Sequence, residues 1–229
     1  MNLEPARQEQ PPIRGESTWS RERRLTEPSD TLRREFGDID IYLFDQLHRG
    51  NITIGMRVLD AGFGQGRNLV YLLRQGFDVS GVDIDAAAID AVRRLVRTTH
   101  ADADARFRDE PVESMSFADA SFDVVISSAV LHFAADERQW HAMMREMWRV
   151  LAPGGLFFAR LATTVGHESQ VRPLGNRRFI MPDGDERFLV DESFVLASMN
   201  DLGGRLVDPI KTSVVHGKRS MMTWVMRRP

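Results

Sequence analysis

Short apolar runs alternate with helix-period stretches along most of this chain. Residues 56–61 carry Val58 and Leu59 in a run too short for a helix, which predicts a buried strand. Residues 68–74, with Leu69, Leu72 and Leu73, predict a helix, and residues 77–82 a second strand. Asp85 is placed to cap a further helix bearing Ile89, Val92, Leu95 and Val96. A weak strand follows at 105–107 and a strong one at 122–127. A helix is expected at 137–151, ended by Pro153-Gly154-Gly155, and another strand at 156–161. Strands interleaved with helices in this way predict an α/β fold, a parallel sheet covered by helices on both faces. The end of the chain departs from that pattern. A helix at 191–202 is followed by strand-like runs at 206–215 and 221–226, close enough in sequence to pair antiparallel.

Upstream, Leu32, Phe36, Ile39, Leu43 and Leu47 recur at spacings of three and four, with Asp30 and Asp38 as candidate caps and Gly50 as a stop. Two short helices are expected there. Residues 1–28, rich in Glu, Arg, Gln and Pro, have too few apolar positions to offset the entropy of ordering, and are expected to form a flexible arm. Its Arg21, Arg23 and Arg24 read as a solvated face. One domain is expected over residues 29–229, with 29–50 as a helical lid and 164–190 as a second lid. The latter contains a hairpin turning at Pro182-Asp183-Gly184. Tyr42, Phe44 and His48 would face entering ligands. Arg172, Arg177 and Arg178 read either as a grip for an anionic substrate or as solvated charges.

The 229 residues contain no cysteine, which removes disulfides, thiolate metal sites and cysteine nucleophiles. With 30 basic and 33 acidic side chains the net charge is −3, which disfavours bulk nucleic-acid binding. Lys211 and Lys218 are the only lysines, an arginine bias with no phosphate-binding meaning of its own. No apolar run approaches the ~20 residues needed to span a bilayer, and residues 1–10 lack a signal-peptide core. A cytoplasmic protein without membrane contact is expected.

Candidate chemistry concentrates in Val58-Leu59-Asp60-Ala61-Gly62-Phe63-Gly64-Gln65-Gly66-Arg67-Asn68, where a strand enters a glycine turn and then a helix. Such a turn aims backbone amides at a ligand across the sheet edge. A dinucleotide fold wants a third glycine three residues after the second, and that position is Arg67. Asp60, two residues before the turn, would repel a pyrophosphate and attract an ammonium group. The expected ligand is adenosine-like with a cationic tail. Asp83, 21 positions after Gly62, ends the second strand, where an acid can accept both ribose hydroxyls. A turn or cap role for Asp83 is the plainer alternative, although Asp85 already fills it.

These runs, with the strand Ser121-Phe122-Asp123-Val124-Val125-Ile126-Ser127 and the Pro-Gly-Gly turn, resemble class I S-adenosylmethionine-dependent methyltransferases. The likeness runs from about Asp38 to the C-terminus, and the GQGRN wording is most similar to a small-molecule branch that includes tellurite-resistance-type enzymes. The resemblance implies a three-layer, Rossmann-like, seven-stranded, mostly parallel sheet with an antiparallel C-terminal hairpin. It implies S-adenosylmethionine as cofactor, held by Asp60, Gly62, Gly64, Gly66, Arg67, Asn68, Asp83, Ile84, Asp109, Glu110 and Ser127. Asp109 and Glu110 are alternatives for the adenine amine. Phe63 stands where the family usually has a small residue, so its ring must lie behind the loop.

Base-modifying amino-methyltransferases carry an Asn/Asp-Pro-Pro-aromatic run after the fourth strand, and Ser127-Ser128-Ala129-Val130 does not match it. His132 follows, either as a general base or as a histidine bonded to backbone. The Trp140, Met144, Met147, Trp148 and Leu151 stripe reads as core. His141 is expected to be exposed on the 137–151 helix, and His100, His167 and His216 have no acid or second histidine at metal spacing, so no metal is expected. The function expected is methyl transfer to a small-molecule O, N, S or metalloid acceptor. The alternatives are a non-catalytic binding module and a nicotinamide-dependent oxidoreductase, the latter opposed by Asp60 and Arg67. Nothing in the sequence selects an acceptor atom or an oligomeric state.

Overall fold

The structure is a computed structural model and describes residues 28–97 and 103–229. The chain divides at Phe36–Gly37, inside the expected 29–50 segment. Helix α1 (Pro28–Phe36) stands in the first unit, starting two residues ahead of Asp30. The helix takes in Pro28, the last residue of the expected arm, and the rest of that arm, with Arg21, Arg23 and Arg24, lies outside the described residues, as does His100.

The second unit, Gly37–Pro229, opens with α2 (Ile41–His48). Its cap is Asp40 rather than Asp38: the Asp40 carboxylate accepts from the amides of Tyr42 and Leu43. The strands β1 (Arg57–Ala61), β2 (Asp78–Asp83), β3 (Phe107–Asp109), β4 (Phe122–Ser128) and β5 (Leu151–Ala162) pair in parallel. Between them run α3 (Leu69–Arg74), α4 (Ala86–Val96), the single turn α5 (Ala103–Arg106) and α6 (Glu137–Val150). A smaller antiparallel sheet follows, made of β6 (Arg172–Gly175), β7 (Arg178–Ile180) and β8 (Glu186–Phe188). Helix α7 (Glu192–Asp201), β9 (Arg205–Leu206), β10 (Lys211–Val215) and β11 (Arg219–Arg227) complete the chain.

The main sheet runs β10-β11-β5-β4-β1-β2-β3, with β9 added beside β11. β11 lies antiparallel to both β5 and β10, so the C-terminal hairpin sits at one edge of an otherwise parallel sheet. The strand count is therefore eight, one more than expected, because the run at 206–215 is broken. Pro209 cannot donate to a ladder, and Asp208 turns inward to Gln46 and Arg49 of the α2 end.

Two apolar layers hold the helices to the sheet. Trp140, Met144, Met147 and Trp148 of α6 are buried on one face with Phe157 and Trp224. On the other face Leu43, Leu69, Leu72, Ile89, Val92 and Val96 pack against Val58, Val79, Val124 and Phe158. Leu95 does not join them and stays exposed, one position off the buried stripe of α4. Two further expectations shift. The weak strand is Phe107–Asp109, the residues before it forming α5. The Pro-Gly-Gly run does not separate helix from strand: β5 begins at Leu151, and Pro153–Gly155 bulge out between the pairs Phe122–Leu151 and Val124–Leu156.

Candidate active site

The carboxyl ends of β1, β2, β4 and the start of α6 enclose a cavity of about 700 Å³. That is within the range of small-molecule sites. Of the residues expected to hold a cofactor, Gly62, Gly64, Arg67, Asn68, Asp83, Ile84 and Glu110 line it. Asp60, Gly66, Asp109 and Ser127 do not. Asp109 is exposed at the end of β3, and Glu110, the next residue, faces the cavity. Ser127 is fully buried in β4 and its hydroxyl has no hydrogen-bond partner. Successive strand residues point to opposite faces, so Ser128 takes the position expected of Ser127.

The glycine loop is shaped by what packs against it. Gly62 has φ +81°, and a Cβ there would come within 2.5 Å of Val130, whose side chain closes over the turn. Phe63, the residue out of pattern, turns its ring onto Gly81 of β2, where a Cβ would lie 2.5 Å from the ring. It meets Phe107 edge-to-face at 5.8 Å. The large residue in the loop is thus matched by a missing side chain in the neighbouring strand.

Asp83 ties this loop to the next helix. One carboxylate oxygen accepts from the Gly64 amide at 2.7 Å and the other from the Asp85 amide at 2.9 Å. Asp85 in turn caps α4 through the amides of Ala87 and Ala88. Each oxygen of Asp83 keeps a further lone pair for a ligand hydroxyl.

Asp60 is almost wholly buried, and neither carboxylate oxygen has a hydrogen-bond partner. Burial pushes its pKa up to about 7, against the attraction of Arg67 and with a further push from Asp83. A buried acid in this state fits a cation placed at the turn and does not fit a phosphate.

A second polar group adjoins the loop at Arg67. Asp40, buried at the start of α2, accepts from Arg67 at 2.9 Å and from Arg160 at 3.1 Å, and its amide donates to Asn68 Oδ1. Arg67 also donates to Ser128 Oγ, and the Arg160 guanidinium lies 4.5 Å from the Tyr42 ring centroid. Asp40 is 27 positions from Arg67 and 120 from Arg160, a separation no local pattern reveals. Ala129, next to Ser128, has φ +66°, uncommon for a residue with a Cβ, and lines the cavity.

Sequence reasoning also missed Gln139 and Met143. Gln139 lines the cavity in the first turn of α6, held there by the cap: Asp136 accepts from the Gln139 amide, and Gln139 Oε1 accepts from the amide of Ala135, the residue before the cap. The Asp-x-x-Gln spacing was the available signal. Tyr42, Phe44 and His48 do not line the cavity; Tyr42 hydrogen-bonds to Ser213 and Phe44 stacks edge-on against Tyr71. Among the three arginines read as a possible grip, Arg177 pairs with Glu137 and Asp191, and Arg178 with Glu186 and the Ala134 carbonyl.

His132 does not line the cavity and is buried in a short 3-10 turn (Leu131–Phe133). Its Nδ1 accepts from the Ala162 amide at 3.3 Å. Burial, with Arg187 nearby, lowers its pKa to about 4, so it is neutral at physiological pH. Its Nδ1 is taken up by backbone, and the residue is not part of the cavity lining, so it is badly placed to take a substrate proton. His132→Ala is expected to keep methyl-transfer activity within about a hundredfold of wild type. It should lower stability by roughly 1–3 kcal/mol, because the Ala162 amide loses its acceptor. A pH–rate profile and a thermal melt of the variant test this. A dead but folded variant would make His132 the base.

The strand order, the glycine turn preceded by a buried acid, and the acid ending β2 define the fold of class I S-adenosylmethionine-dependent methyltransferases. Residues 59–159 match a family described as a methyltransferase domain. Over those residues the chain is similar to this family, and its fold is that of the class I S-adenosylmethionine-dependent methyltransferases. It is 36% identical over 116 residues to an arsenite methyltransferase of Aquipseudomonas alcaligenes, covering 46% of this chain and 32% of that protein. It is 27% identical over 155 residues to a ubiquinone biosynthesis O-methyltransferase of Psychrobacter cryohalolentis, covering 61% and 59%. The chain thus spans less than two thirds of either relative. A crystal structure of a methyltransferase from Methanosarcina mazei superposes with a TM-score of 0.67 at 20% identity, covering 80% of this chain and 96% of that one, a likeness of fold. Among the described residues, no helix is long and apolar enough to cross a membrane.

Proposed function

We propose that this chain transfers the methyl group of S-adenosylmethionine to a small-molecule acceptor. The observation that carries the reading is Asp60, whose two carboxylate oxygens are buried without partners at the end of β1. The cofactor's ammonium group is the counter-charge this acid lacks. Asp83 would take the ribose, Glu110 and Ile84 would flank the adenine, and the Gly62–Gly64 turn would pass under the methionine portion. The bound cofactor supplies a methyl group already activated on a sulfonium, so the protein's share is positioning and exclusion of water.

The β6–β8 sheet serves in this reading as a cover. Arg178 donates to the Ala134 carbonyl at 3.0 Å, and the Arg187 guanidinium lies 4.8 Å from the ring centroid of Phe133, which lines the cavity. A methyltransferase of the arsenite or quinone type among the relatives supports a small acceptor.

Isothermal titration of the purified protein is expected to show binding of S-adenosylmethionine and S-adenosylhomocysteine and none of NAD(H). Tighter binding of NAD(H) would end the methyltransferase reading.

A further inference from the structure

Among the described residues, no side chain that lines the cavity is a ready general base. The four carboxylates that line it each accept hydrogen bonds from the protein: Asp83 from two amides, Asp85 from the first turn of α4, Glu110 from Ser116, and Glu113 from Gln139. His132 is outside the lining, neutral and bonded to backbone. Among the described residues, the lining holds no histidine, lysine or tyrosine.

The charge in the lining near Ser128 has the opposite sign. Among the described residues, Arg67 is the one cation that lines the cavity, and it shares the single carboxylate of Asp40 with Arg160. Two guanidinium groups on one carboxylate leave a net positive charge, and the buried Nε of Arg160 has no partner. Asp60 also feels Arg67. In the function proposed above, however, its charge is matched to the cofactor's ammonium.

A neutral hydroxyl must lose a proton on methylation, and each carboxylate of the lining already accepts from protein donors. A protonated amine would have to lose one too, and would meet Arg67 and the sulfonium with like charge. We propose that the acceptor is a preformed anion, a thiolate or carboxylate, drawn to Arg67 beside Ser128 and methylated without a base. The inference rests on the methyltransferase reading. In the step, the anion's electron pair forms the bond to the methyl carbon. The carbon–sulfur bond breaks with its pair left on sulfur, so anion and sulfonium give two neutral centres and no proton is released.

The test uses four probes that share one ring: benzenethiol, benzoate, benzyl alcohol and benzylamine, at pH 8. Binding of S-adenosylhomocysteine is measured first, and its absence would overturn the methyltransferase reading and this one with it. Given that binding, S-adenosylhomocysteine is expected to form with benzenethiol or benzoate and not with the alcohol or the amine. No proton should appear in weak buffer. Benzoate should also bind the protein loaded with S-adenosylhomocysteine, as read by titration. Arg67→Gln should lower both that affinity and the kcat/KM for the anionic acceptor by roughly tenfold or more, with Arg67→Lys recovering part of each. Three results would overturn the proposal: methylation of the alcohol or amine with one proton per turnover, no turnover of either anion, or an Arg67→Gln variant equal to wild type.

Discussion

Asp60→Asn is expected to make the protein more stable above neutral pH while removing most of its affinity for S-adenosylmethionine. The acid's pKa is raised from 3.8 to about 7 by burial. Between those values the folded chain holds a proton that the unfolded chain has released. Folding is therefore disfavoured progressively as pH rises through that window. At about 1.4 kcal/mol per pH unit, the ionised acid weakens the fold above pH 7 by an amount on the order of 4 kcal/mol. Asparagine carries no charge and escapes this penalty, although its buried amide leaves part of the gain unrealised. The same substitution deletes the counter-charge proposed for the cofactor's ammonium, and a roughly tenfold to hundredfold loss of affinity should follow. Melting curves from pH 5 to pH 8 should fall with pH for wild type and run flatter for the variant. Parallel curves would show that Asp60 is not the buried acid responsible.

Asp83→Ala should weaken cofactor binding by about tenfold or more, for two separable reasons. It removes the acceptor proposed for the ribose hydroxyls, and it frees the Gly64 amide that Asp83 holds at 2.7 Å. Asp83→Asn separates them, since its amide oxygen can still accept from Gly64 while the charge and one acceptor are gone. The alanine variant should therefore be the weaker binder of the two by titration with S-adenosylhomocysteine. The fold should persist, because Asp83 ends a strand and the β1–β2 ladder runs through Ala61 and Val82 without it. A folded Asp83→Ala that binds within a factor of about two of wild type would remove the ribose role.

Periodicity made most of the second unit readable. Strands β1, β2 and β4 and helices α3, α4, α6 and α7 come from runs whose apolar spacing admits only one way of burying them. The short link between the last two strands forced an antiparallel pair, and β10–β11 is that pair. Boundaries slipped where a side chain's best partner is distant in sequence. Asp40 displaces Asp38 as the α2 cap while also meeting Arg67 and Arg160, and Asp208 breaks the run ahead of β10 by turning to Arg49 and Gln46.

By itself the sequence determined the layer architecture and the acid–glycine turn, because both depend on residues near one another along the chain. The spacing of Asp60, Gly62, Gly64 and Asp83 belongs to that local record. Tertiary structure alone decided that Phe63 fits because Gly81 has no side chain, and that Ser128 rather than Ser127 faces the cavity. It alone decided that His132 is held by Ala162, and that Arg67 and Arg160 share one carboxylate. Each of those outcomes joins residues from different strands or helices, and their burial and charge balance exist only once the sheet has brought them together.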